Sequence, residues 1–134
     1  MKCFLIDDDQ DDREIFAIAL SEVNSSYSCI TAINGEDALK VLNDQPDFTP
    51  DFIFLDLNMP LMNGKTCLTE LRKIPRLKQV PIIIYTTSSY SKDIEDTQNL
   101  GASHYLVKPS SISSLSNILT SFFEGKTTKF QLNS

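Results

Sequence analysis

Histidine and cysteine are scarce in this sequence, and basic residues are outnumbered. There is one histidine, His104, and there are three cysteines, Cys3, Cys29 and Cys67, with no paired spacing of the kind zinc sites use. The odd count and the apolar surroundings predict buried free thiols and a reducing compartment, not disulfides. His104 falls in a strand pattern and is expected at the surface. Twelve Lys and Arg stand against eighteen Asp and Glu, giving a net charge of −6, with no basic footprint for nucleic acid and no segment left over for a helix-turn-helix. No apolar run approaches the length of a membrane span, and only a short one precedes the first acidic cluster, so neither a signal peptide nor a membrane segment is expected and the cytoplasm is the expected location. After that first run the chain lacks the Gly, Ser and Thr amides that cradle a nucleotide phosphate; DDDQDD would repel one.

Short apolar runs recur five times, at Cys3 to Ile6, Tyr27 to Ile33, Phe52 to Leu55, Val80 to Tyr85 and Tyr105 to Val107. Most are continuous and do not alternate, which is what a strand covered on both faces requires, and so they predict a parallel sheet between helix layers. Between them lie helical patterns. Ile15, Phe16, Ala19, Leu20 and Val23 share a face; Gly35-Glu36-Asp37 opens a second helix carrying Ala38, Leu39 and Leu42. Cys67, Leu68, Leu71 and Ile74 form a third, expected to stop at Pro75. Ser91 to Leu100 reads as a fourth, poor in apolar residues, with Ile94 and Leu100 as its anchors and a weak hold on the body. Ile112, Leu115, Ile118, Leu119, Phe122 and Phe123 mark a strongly amphipathic fifth. Strand and helix alternating five times predict an α/β fold with a doubly wound five-stranded parallel sheet and helices on both faces. One domain over 1–125 is expected, with 126–134 a loose polar tail.

Ligands of such sheets bind beyond the carboxyl ends of the strands. Strand one ends into Asp7, Asp8 and Asp9, strand three into Asp56, strand four into Thr86 and Thr87, and strand five into Lys108. In the common five-strand order, strand one lies beside three, then four, then five, so these groups converge on one pocket. Carboxylates about 5 Å apart repel by roughly 3 kcal/mol per pair at an effective dielectric near 20, so a cation is needed. Oxygen-only ligands favour a hard ion, and few carboxylates with room for water suit Mg²⁺ better than Ca²⁺. Asp11 and Asp12 are assigned to the positive start of the first helix, and Asp9 is left open. A carboxylate, a metal, a hydroxyl and a cation are together the parts that phosphoryl transfer uses.

IDDD at 6 to 9, FLDLNMPLMNG at 54 to 64, PIIIYTT at 81 to 87 and GASHYLVKP at 101 to 109 together resemble the receiver domain of bacterial two-component response regulators, over residues 2 to about 124. The resemblance is to stand-alone, chemotaxis-type members. It implies the flavodoxin-like strand order 2-1-3-4-5, with Asp56 as phosphoacceptor from a sensor histidine kinase or histidine phosphotransfer protein. It further implies Mg²⁺ held by Asp8, Asp56 and the backbone carbonyl of Asn58, with Asp7 reaching it through water. Lys108 would bind a phosphoryl oxygen and the Thr86 hydroxyl would be drawn toward another. Tyr105 would then turn inward, reshaping the surface of helix four, strand five and helix five for a downstream protein target. Thr87 and Ser110 depart from the family's usual small residue and aromatic. The implied role is a phosphorylation switch and not an enzyme, with a relay intermediate, a phosphate sink or an unphosphorylated interaction module as alternatives. A hydrolase of the aspartyl-phosphate type would need an acid where Asn58 stands.

Overall fold

The computed structural model describes residues 1–133. Among these, strands β1 (Lys2–Ile6), β2 (Ser28–Ala32), β3 (Phe52–Leu55), β4 (Ile82–Thr86) and β5 (His104–Val107) form one sheet, in the order β2-β1-β3-β4-β5 and with every pairing parallel. The helices are α1 (Gln10–Val23), α2 (Gly35–Asp44), α3 (Gly64–Arg72), α4 (Ser91–Asn99) and α5 (Ile112–Phe123). This is the doubly wound parallel architecture expected from the continuous apolar runs, with the flavodoxin-like strand order that the resemblance implied. Alternate strand residues feed two cores. Phe4, Ile6, Ile53, Ile82 and Ile84 pack with Leu42 of α2 and Leu68 and Leu71 of α3, while Cys3, Leu5, Phe54, Ile83 and Leu106 pack with Phe16 and Leu20 of α1 and Leu115 and Leu119 of α5. The fully buried Phe16 ring lies 4.8 Å from Phe54 and 5.5 Å from Tyr85, centroid to centroid, so truncating it to Ala would cost about 3–5 kcal/mol.

Helix starts follow their caps. The side chains of Asp9, Asn34, Asn63 and Ser111 accept the backbone N–H groups of Asp12, Asp37, Thr66 and Ser114 in turn. Asp9, left open from sequence, is therefore the N-cap of α1. At α4 the corresponding residue is Tyr90, which offers no side-chain cap.

Three elements differ from expectation. Leu100 does not anchor α4: it follows the helix and is 38% exposed, and the buried position is Thr97, whose hydroxyl donates to the Asp93 carbonyl at 2.8 Å. A hydroxyl satisfied by its own helix can be buried at little cost, so a polar residue takes the inward position that hydropathy assigned elsewhere. Ile74 is not part of α3, which ends at Arg72; Ile74 caps a 3₁₀ turn over Pro75–Leu77, where Pro75 fits because the first turn needs no N–H from it. The tail expected to be loose lies along β5. Tyr105 N–H donates to the Phe130 carbonyl and Leu132 N–H to the Tyr105 carbonyl, each at 2.8 Å, while the Asn133 amide brackets Val107. An exposed parallel edge leaves unpaired backbone donors and acceptors, and the alternation of Phe130 and Leu132 with polar neighbours lets this segment satisfy them while shielding both core edges. Ser134 lies outside the described residues.

Candidate functional site

The register brings the strand ends level. Ile6 pairs with Leu55 and Leu55 with Ile84, so Asp7 and Asp56 leave adjacent strands side by side, and Thr86, paired with Val107, stands next to Lys108. The β3–α3 connection is held close by Gly64: a Cβ there would run into the Asp56 carbonyl oxygen and the Leu57 backbone. Gly64 N–H in turn donates to the Leu57 carbonyl at 2.9 Å, fixing the turn beneath the carboxylate.

Asp7 is fully buried, Asp56 is 5% exposed and Asp8 is exposed. One carboxylate oxygen from each lies within 4.8 Å of the other two. Asp56 Oδ1 accepts the Leu57 N–H at 2.8 Å and a long contact from Asn58 N–H at 3.4 Å, while its Oδ2 faces Lys108 Nζ at 3.3 Å. Asp7 Oδ1 accepts the Asp9 N–H at 3.0 Å, and its Oδ2 is ion-paired with Lys108 at 2.8 Å without an aligned hydrogen bond. Burial pushes the Asp7 carboxyl up to about 6, against the opposing pull of Lys108 and of the Asp9 N–H. On Lys108 burial acts downward, but Asp12, Asp7 and Asp56 outweigh it and leave the ammonium more basic than usual. The ammonium also lies 5.3 Å from the Tyr85 ring centroid, on the floor of the site.

A cavity of about 630 Å³ opens over these groups, with Asp8, Asp12, Asp56, Asn58, Thr87 and Lys108 in its wall. Three convergent carboxylates, one driven toward its protonated form by burial, form an oxygen-only donor set that fits a hard divalent cation.

Of the residues singled out from sequence, Asp7, Asp8, Asp56, Asn58 and Lys108 meet at this rim. Thr86 lies just below it, fully buried, its Oγ1 without a hydrogen-bond partner among the described residues. Tyr105 is 1% exposed with its hydroxyl donating to the Ser88 carbonyl at 2.8 Å, so the ring expected to turn inward on phosphorylation is inside in this state, with Phe130 against its outer side. His104 is half-buried, its Nδ1 2.8 Å from the Lys129 carbonyl. Two participants were missed. Asp12, assigned only to the helix start, has Oδ2 2.8 Å from Lys108 Nζ, and Tyr85 lies under the same lysine. Asp9 as N-cap puts Asp12 three residues into α1, at the mouth of β1, which is the one sequence signal that could have revealed it.

The family model for the response regulator receiver domain matches residues 3–120. The chain is 28% identical over 115 residues to the response regulator Rcp1 of Synechocystis sp., covering 83% of this chain and 78% of that one. It is 38% identical over 106 residues to the transcriptional regulatory protein AfsQ1 of Streptomyces coelicolor, covering 78% of this chain but only 43% of that one. Among solved structures, the phosphorylated cyanobacterial phytochrome response regulator RcpA superposes with a TM-score of 0.83 at 28% identity, over 95% of this chain and 96% of that one. The Mn²⁺-bound form of Rcp1 gives 0.79 at 26% identity, over 95% and 96%.

Proposed function

Because the chain belongs to the response regulator receiver domain family, we propose that it accepts a phosphoryl group on Asp56 from a phosphohistidine of a sensor histidine kinase or histidine phosphotransfer protein. The observation that carries this reading is the environment of Asp56: a carboxylate at a strand end, one oxygen fixed by Leu57 N–H, the other beside a lysine, opening on an acidic cavity. An Asp56 oxygen attacks phosphorus, the P–N bond to the imidazole breaks, and the electron pair leaves with the ring nitrogen. Donor preference among hard divalent ions favours Mg²⁺, which Asp8, Asp56 and the Asn58 carbonyl would hold with Asp7 behind; when bound it would neutralise charge developing on the phosphoryl oxygens. The Mn²⁺-bound form of Rcp1 is consistent with that class of ion.

Lys108 supplies the protein's own positive charge to a phosphoryl oxygen. The buried Thr86 hydroxyl, without a partner among the described residues, has most to gain by turning to another. Its movement would be felt by Ser88 two residues on, and through the Ser88 carbonyl by Tyr105. Ser88 Oγ also donates to Asp93 of α4 at 2.6 Å, so the same loop reaches the α4, β5 and α5 surface that we assign to the downstream protein target.

The test is incubation with Mg²⁺ and acetyl phosphate, read by intact mass. Wild type should gain one phosphoryl group and Asp56→Asn none. Equal labelling of the variant refutes the assignment.

A further inference from the structure

Lys108 already has a full set of anionic neighbours. Asp7 Oδ2 and Asp12 Oδ2 each lie 2.8 Å from its Nζ, and Asp56 Oδ2 lies at 3.3 Å. Asp12 and Asp56 accept hydrogen bonds from it and Asp7 is ion-paired beside them, and the Lys108 side chain is only 8% exposed, so little room is left around the ammonium for a further oxygen. A phosphoryl group on Asp56 would bring new oxygens to the same ammonium. One carboxylate must then give way.

The three are not equally free to do so. Asp7 is fully buried, so water cannot take the lysine's place beside it. Asp56 carries the phosphoryl group itself. The Asp12 side chain is 30% exposed on the cavity wall, and water can replace the lysine there at small cost. Its backbone is held independently, because Asp12 N–H donates to the Asp9 side chain at 3.1 Å, so releasing the carboxylate does not uncap α1.

We infer that Asp12 is a displaceable counter-ion of Lys108, a positioning residue that holds the lysine over Asp56 in the unphosphorylated state and competes with the incoming phosphoryl group for it. This deepens the reading of Asp56 as phosphoacceptor and rests on it. The consequence has a definite sign. Removing the Asp12 charge frees one donor of Lys108 and removes one negative group from the cavity wall, while Asp7 and Asp56 still hold the lysine. An anionic donor should therefore saturate the site at lower concentration.

The experiment is the rate of phosphorylation against acetyl phosphate concentration, at fixed Mg²⁺, for wild type, Asp12→Asn and Asp12→Glu. Asp12→Asn should lower the half-saturating concentration roughly fivefold, the scale of one partly exposed ion pair. Asp12→Glu, which restores the carboxylate, should return it toward wild type. A role confined to the start of α1 would shift thermal stability and leave the half-saturation unmoved. In the wild-type chain, the Asp12 carboxyl ¹³C resonance should shift on phosphorylation as its partner leaves, a readout that needs no variant. An unchanged or raised half-saturation in folded Asp12→Asn, or an unmoved Asp12 resonance in labelled wild type, overturns the inference while leaving Asp56 as acceptor. Wild type that takes no label, or Asp56→Asn that takes as much, overturns the acceptor assignment and this inference with it.

Discussion

The Tyr105 hydroxyl donates to the Ser88 carbonyl oxygen across 2.8 Å, two residues beyond the buried and unpartnered Thr86 hydroxyl. Tyr105→Phe deletes this bond and leaves the ring in place. It should lower stability by about 1 kcal/mol in a denaturant titration, whereas Tyr105→Ala, which also empties a buried ring site, should cost about 3–5 kcal/mol. Equal losses for both would show that the hydroxyl, and not the ring, dominates.

The buried Asp7 sets a pH dependence for the metal-free protein. Its carboxyl is pushed up to about 6 from an ordinary 3.8, so between these values the folded state binds the proton more tightly than the unfolded chain does. Stability should therefore rise as pH falls from 7 toward 5, by about 1 kcal/mol, and Asp7→Asn should abolish that rise. Urea midpoints measured in EDTA across this range check it. The opposite slope in wild type would contradict the assigned burial effect.

Gly64 begins α3 with its backbone against Asp56 and Leu57. Alanine is normally the better helix former, so Gly64→Ala would stabilise an unobstructed helix start. Here it should destabilise by about 2 kcal/mol or more, because the colliding atoms are backbone and cannot swing aside. Thermal unfolding decides the sign.

The segment from Lys129 to Asn133 closes the β5 edge through backbone and side-chain hydrogen bonds at Tyr105 and Val107. Truncation after Thr128 should cost about 2 kcal/mol, from lost hydrogen bonds and from exposure of the Tyr105 ring face that Phe130 covers. Hydrogen exchange should show the Tyr105 and Val107 amides losing protection while those of β1 and β3 keep theirs.

Much of this architecture is legible in the sequence because parallel strands covered on both faces must be continuously apolar. Phe52 to Leu55 coincides with β3, and each remaining strand lies within two residues of its apolar run at either end. The rim is legible for the same reason: an Asp directly after such a strand can only be at its carboxyl end. What could not be read depends on neighbours distant in sequence or on hydrogen bonds that hydropathy does not count. Asp12 looks like any acidic residue at a helix start until Lys108, 96 positions later, is placed beside it. Thr97 is buried because its hydroxyl can bond to its own helix, which hydropathy does not register. The tail is polar by composition and becomes ordered against β5 through main-chain groups that any residue would supply.

The most direct test of the central claim is a crystal structure grown with Mg²⁺ and beryllium fluoride, a mimic of the phosphoryl group. The account predicts an adduct on an Asp56 carboxylate oxygen, a divalent ion among the oxygens of Asp7, Asp8 and Asp56, and Lys108 Nζ turned from Asp12 to a fluoride. An adduct on another residue, or a rim holding neither ion nor mimic, would contradict it.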